Sequence, residues 1–150
     1  MTGELRMWKQ GDTLGPWTEV VTRRHLVQYA GASGDFNPIH YDEEAAKSFG
    51  LPGVITHGMF NMGLLARYLE AAAPPGGRLV SFRARFRSMV QPGQTLEITA
   101  RVIAVSRDAE QERAVVDVSL TVKGQPKAAV AGQAVMMWRD SWGDPGGPSS

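Results

Sequence analysis

The chain has no cysteine. Disulfides, thiolate nucleophiles and zinc–thiolate centres are thereby excluded. It also lacks long apolar runs: nothing approaches the roughly 18 consecutive apolar residues that a membrane span needs. Met1 to Gln10 holds no signal-peptide core, so the expectation is a cytoplasmic protein without a membrane partner. Charge of one sign is missing as well. Sixteen Lys and Arg against 15 Asp and Glu leave a formal net charge of +1, which gives no pull towards nucleic acid or anionic lipid. Neither a phosphate-cradling P-loop nor a dinucleotide fingerprint is present. Gly31-Ala32-Ser33-Gly34 stops short of a nucleophile elbow, because Asp35 stands where the last glycine belongs.

What remains is a chain of 150 residues, 43% apolar and 21% charged, enough for one domain with a sizeable core. Met7 to Val21, broken by Gly11, Gly15 and Pro16, suits one or two edge strands. Thr22 suits the N-cap of a helix to about Ala30, with Leu26, Tyr29 and Ala30 on its apolar stripe and Gly31 and Gly34 at its end. Asp42 reads as the cap of a short helix through Phe49, closed by Gly50 and Pro52. From His57 to Ala73 one long helix is expected, apolar on nearly every side and therefore central to the fold.

Four strands with a period of two follow. Their inward sets are Val80, Phe82, Ala84 and Phe86; Leu96, Ile98, Ala100 and Val102; Val116, Val118, Leu120 and Val122; and Val130, Gly132, Ala134, Met136 and Trp138. The plan is α+β, a curved antiparallel sheet wrapped around a long central helix. One domain over residues 1–140 is expected, with a disordered Gly-, Pro- and Ser-rich tail over 141–150. Free sheet edges and so apolar a helix point to side-by-side pairing of two sheets, hence a dimer.

The chemistry concentrates in Ser33-Gly34-Asp35-Phe36-Asn37-Pro38-Ile39-His40 and in Thr56-His57-Gly58-Met59. Asn37-Pro38 forces a turn, across which Asp35 and His40 can converge on one water as an acid–base pair. Free N–H groups at the head of the long helix favour negative charge, and Gly58 allows close approach to the backbone. Such parts suit addition of water to, or its removal from, an activated double bond. The plainer alternatives stand beside this: Asp35 making an Asx-turn, His40 on the surface, Thr56 capping a helix. His57 is read as a turn residue or one supporting the site. The three histidines show no close ligand spacing, so no metal is expected. Arg83, Arg85 and Arg87, with Arg78 nearby, line one strand face and suit either solvent or the phosphates of a carrier such as coenzyme A.

The combination SGDFNPIHYD, GVITHGMFNMGLLARYLE and VSFRARFRSMVQPGQTLEI closely resembles the MaoC-like hot-dog dehydratases. These include R-specific enoyl-CoA hydratases and the catalytic subunits of (3R)-hydroxyacyl-ACP dehydratases. The resemblance covers about Met7 to Trp138. It implies a hot-dog fold, usually dimeric, acting on acyl-CoA or acyl-ACP thioesters with no metal or redox cofactor. By the same resemblance Asp35 and His40 are the catalytic dyad, Asn37 braces their loop, and the Gly58 amide binds the oxyanion. Ala66 stands roughly where some relatives carry a serine. Gly63 and Ala66, small residues on the long helix, are expected to set the width of an acyl tunnel. Two rivals remain: a hot-dog thioesterase, and a non-catalytic acyl-binding subunit paired with a second hot-dog chain.

Overall fold

Alternation of apolar and polar residues dictates the sheet. The computed structural model describes residues 7–139. It places β1 (Thr13–Val20), α1 (Arg23–Ser33), a 3-10 turn (Pro38–His40), α2 (Glu43–Ser48) and α3 (Gly58–Ala72) before four consecutive strands. These are β2 (Arg78–Phe86), β3 (Thr95–Asp108), β4 (Gln111–Val122) and β5 (Val130–Arg139). All pair antiparallel in one five-stranded sheet, order β1-β3-β4-β5-β2. Leu96, Ile98, Ala100 and Val102 of β3, the inward residues of β4, and Val130, Ala134, Met136 and Trp138 of β5 are buried, and α3 lays Leu64, Leu65 and Leu69 upon this core. Full burial of one such leucine is worth about 1.5–3 kcal/mol, so the helix is anchored chiefly through this face. The expected tail falls outside the described residues.

Three expectations need correction. β2 does not alternate throughout. Its register with β5 shifts between Leu79 and Ser81, leaving Val80 as the extra residue of a bulge and 50% exposed, while Leu79 packs against the core. A bulge reverses the phase of everything before it, which a strict period of two does not anticipate. Gly31 lies inside α1 and does not end it. Gly34 is the C-cap, at φ 75°, its N–H donating to the Ala30 carbonyl. Finally, α3 is not enclosed on every side. Met59 is 58% exposed and a Cβ at Gly63 would meet nothing within 4 Å, so a flank of the helix stands open within this chain.

Two packing details were absent from the sequence reading. Trp8 is buried, stands edge-on to Trp138 and donates its indole N–H to the Ala72 carbonyl at 3.1 Å. It thus satisfies a carbonyl that the end of α3 would otherwise leave free. In β5, Gly132 sits opposite Ala84 of β2. A Cβ there would run into the Arg83 carbonyl and the Phe82 ring, so the two strands approach as they do because position 132 is glycine.

Candidate active site

The loop between α1 and α2 is shaped by its own side chains. The Asp35 N–H donates to Ser33 Oγ at 3.1 Å, whose hydroxyl donates in turn to the Tyr29 carbonyl at 2.7 Å. Asn37 N–H donates to Asp35 Oδ1 (3.2 Å), and Asn37 Oδ1 accepts from the Ile39 N–H at the start of the 3-10 turn (3.3 Å). Asn37 therefore acts within the loop. With Oδ1 so engaged, Asp35 Oδ2 faces His40 Nε2 at 3.9 Å.

That separation is too long for a direct hydrogen bond. It admits one water oxygen about 2.8 Å from each atom. His40 is buried, and its Nδ1 lies 2.7 Å from the Ile55 carbonyl. A carbonyl only accepts, so Nδ1 carries a proton, and in the neutral tautomer Nε2 presents a lone pair towards Asp35. The Asp35 side chain is half exposed, so the pair opens to solvent from the carboxylate side.

His57 lies behind the pair. Its ring stacks on His40 with centroids 3.7 Å apart and planes inclined by 23°, and Tyr29 packs against it at 4.8 Å. Its Nε2 donates to the Asp35 carbonyl at 3.1 Å, while Nδ1 is buried without a partner. Burial holds its pKa below the usual histidine value. The bond to the Asp35 carbonyl offsets this in part, and the neighbouring His40 adds to the lowering. A neutral ring, donating at one nitrogen, is thus wedged between the loop and the His40 imidazole.

Immediately after His57 the chain enters α3, and His57 makes no side-chain cap bond. The first N–H groups of the helix are consequently free of side-chain caps. Gly58 faces the Phe86 ring, which a Cβ at that position would meet at 3.3 Å. Gly58 shares a cavity of about 280 Å³ with Ile55, Thr56, Asn61, Phe86, Arg87, Ser88, Met89 and Val90. Of these, sequence reasoning singled out only Thr56, Gly58 and Arg87; Asn61 and Phe86 are among those it missed. A lone polar residue amid the apolar positions of α3 was the available signal for the first.

Other expectations are separated from this centre. Gly63 and Ala66 do not line the cavity. Arg83, Arg85 and Arg87 are joined by Arg101 around a depression of about 660 Å³ floored by residues such as Ala84, Ser119 and Ala131. Among the described residues none of these arginines makes an ion pair. Arg87 borders both this depression and the Gly58 cavity. The fold also brings together what sequence spacing kept apart: donor atoms of Asp35, His40 and His57 lie within 4.8 Å of one another. They suit a metal poorly. The two imidazoles stack nearly parallel, so their lone pairs do not converge on one ion.

Comparison with known proteins extends the picture. Residues 9–124 match the MaoC like domain. Over 115 residues the chain is 36% identical to fatty acid synthase subunit beta of Aspergillus oryzae, covering 75% of this chain but only 6% of that much longer protein. It is 28% identical over 120 residues to an (R)-specific enoyl-CoA hydratase of Rhodospirillum rubrum, covering 79% of this chain and 81% of the relative. The solved (R)-hydratase from A. caviae superposes with a TM-score of 0.72 at 24% identity, over 86% of this chain and 96% of the other. At that identity the likeness is one of fold, the hot-dog arrangement of sheet around helix. Since the domain match runs through the Asp35–His40 loop, the head of α3 and the strands as far as β4, the chain belongs to the MaoC-like domain family.

Proposed function

We propose that the protein catalyses the reversible hydration of trans-2-enoyl thioesters to R-3-hydroxyacyl thioesters. The observation that carries this reading is the Asp35–His40 pair, set 3.9 Å apart with the His40 tautomer held by the Ile55 carbonyl, beside the uncapped head of α3. A water between Oδ2 and Nε2 meets two acceptors. As its oxygen bonds to the β-carbon, the pair takes one of its protons and returns a proton to the α-carbon. The electron pair of the double bond passes meanwhile to the thioester oxygen as an enolate, which the Gly58 N–H stabilises. General acid–base transfer of this kind contributes about 10²–10⁴-fold, and an oxyanion donor about 3 kcal/mol.

The substrate's carrier, coenzyme A or an acyl carrier protein, would place its phosphates over the arginine depression, reached along Arg87 at the β2 edge. The open flank of α3 and the bulged edge strand β2 suit a second hot-dog chain, identical or related. Gly63 and Ala66 lie on that helix, where a partner would turn the flank into the wall of an acyl tunnel. No helix among the described residues is long and apolar enough to cross a membrane, and a cytoplasmic site is part of this reading. Loss of enoyl absorbance from crotonyl-CoA, with chiral analysis of the product, tests the proposal. Release of free thiol in place of hydration would identify a thioesterase, and binding without turnover a non-catalytic subunit.

A further inference from the structure

Asn61 is a buried polar residue on the face of α3 that also carries Leu64 and Leu65, and it is only 3% exposed. A buried amide costs free energy unless both of its ends are satisfied. One end is: the buried Thr56 hydroxyl donates to Asn61 Oδ1 at 3.0 Å. In this orientation Nδ2 is the free end. No partner holds Nδ2 within the described residues, yet it is not among the sealed, unsatisfied buried atoms. Thr56, Gly58 and Asn61 line the same cavity.

Helix geometry sets the direction. Side chains on an α-helix lean towards its N-terminus, and residues three apart share a face. Asn61 therefore leans over the turn that begins at Gly58, as its bond to Thr56, ahead of the helix, independently requires. We infer that the Asn61 amide is a second donor to the substrate's thioester oxygen, working beside the Gly58 N–H, and that Thr56 is the residue that orients it. This rests on the hydration reading above and adds a catalytic residue to it. As the enolate forms, charge on that oxygen grows, so a donor already aimed at it binds the transition state more strongly than the ground state.

The test is a set of variants assayed for hydration of crotonyl-CoA, with inhibition by saturated butyryl-CoA as a measure of ground-state binding. Asn61→Ala is expected to lower kcat about 10²-fold, towards the lower end of what loss of one oxyanion donor costs, with KM and the inhibition constant little changed. Asn61→Asp is the decisive variant. It keeps the shape and the acceptor facing Thr56 but replaces the donor with a carboxylate next to a developing negative charge, so its kcat should fall below that of Asn61→Ala. Because a buried carboxylate also costs stability, the rates are compared for folded protein, with the melting temperature of each variant measured alongside. A purely structural role predicts that kcat follows the melting temperature. Thr56→Val, which leaves Asn61 in place, should fall between wild type and Asn61→Ala, and Thr56→Ser should restore activity. Wild-type kcat in Asn61→Ala, or higher activity in Asn61→Asp than in Asn61→Ala, overturns the inference. If the Asn61 variants fail to fold, unchanged kcat in Thr56→Val overturns it. Failure of the wild-type protein to hydrate at all would instead refute the hydration reading.

Discussion

Two acid–base clusters sit against α3, and they are built in opposite ways. Towards its C-terminal end Glu19 of β1 accepts from Arg67 at 2.6 Å and from the Tyr68 hydroxyl at 2.7 Å, while Tyr68 stacks on Trp17 with centroids 5.3 Å apart. Each of the three polar groups has a partner within the cluster. Burial and the bond to Glu19 raise the Tyr68 pKa. Arg67 is raised too, because its bonds to Tyr68 and Glu19 outweigh the opposing effect of burial. At the other end Asp35 and His40 stand 3.9 Å apart and His57 Nδ1 has no partner. Similar chemical groups thus clamp a strand to a helix in one place and stay apart in the other. Among the described residues the Trp138 indole nitrogen is also buried without a partner, but it lies beside Trp8, whereas His57 Nδ1 lies beside the open Asp35–His40 pair. Unmet polar groups gathered in one place mark a site that something else completes.

The severest way to break the contrast is to remove the scaffold that both clusters share. Leu65 is fully buried between them. Leu65→Asp is expected to abolish folding, since an unpaired buried charge costs more than the roughly 5–15 kcal/mol that holds a domain together can spare. Soluble protein with an unchanged melting temperature would contradict the sheet-on-helix arrangement. Next come the open cluster's own residues. Asp35→Asn and His40→Gln should each lower hydration at least about 10²-fold while leaving the melting temperature nearly unchanged. The double variant should lose little more than either single one, as for residues acting as a unit.

The closed cluster should answer in the opposite sense. Tyr68→Phe removes one bond to Glu19 and is expected to cost about 1 kcal/mol of stability, seen as a lower denaturation midpoint, with the hydration rate unchanged. Arg83→Ala with Arg85→Ala should raise KM several-fold for crotonyl-CoA and not for crotonyl-pantetheine, an effect of about 1 kcal/mol. Equal effects on both substrates would remove the carrier from the arginine depression.

The smallest effect concerns His57. Its folded pKa is depressed, so the unfolded chain binds the proton more readily and stability rises with pH. That contribution is complete above the unfolded value of about 6.5 and is lost as pH falls through the folded value. Below about pH 6.5 the loss proceeds at no more than about 1.4 kcal/mol per pH unit. Melting temperature against pH should therefore flatten on the acid side in His57→Phe. An identical acid limb in both proteins would show that His57 takes up its proton without unfolding.

Legibility in the sequence followed the range of the interactions involved. Strands β3, β4 and β5 were plain because alternation is local and β4, β5 and the first half of β3 each bury one face. The Asp35–His40 loop was legible for the same reason, since Gly34, Asn37 and Pro38 act on their immediate neighbours. Val80 was misplaced because a bulge depends on the partner strand. The stack of His57 on His40 joins residues 17 positions apart in the chain, and the Phe86 ring reaches Gly58 from another element. No local pattern encodes either. Asn61 was overlooked because its meaning lies in Thr56, whose hydroxyl had been weighed only as a helix cap.

The glycine at position 132 has a consequence for how such a site can vary. It fixes the spacing of β5 from β2 at Ala84, two residues before Phe86, whose ring lies against Gly58. A side chain at 132 would push β2 outward and carry Phe86 with it. The gap beside the Gly58 amide would then widen, although no residue of the cavity wall had been replaced. Screening for altered substrate range should therefore recover changes at 132 as readily as changes in the cavity wall. Within a lineage that keeps one substrate, drift at this position is closed by the geometry of a neighbouring strand.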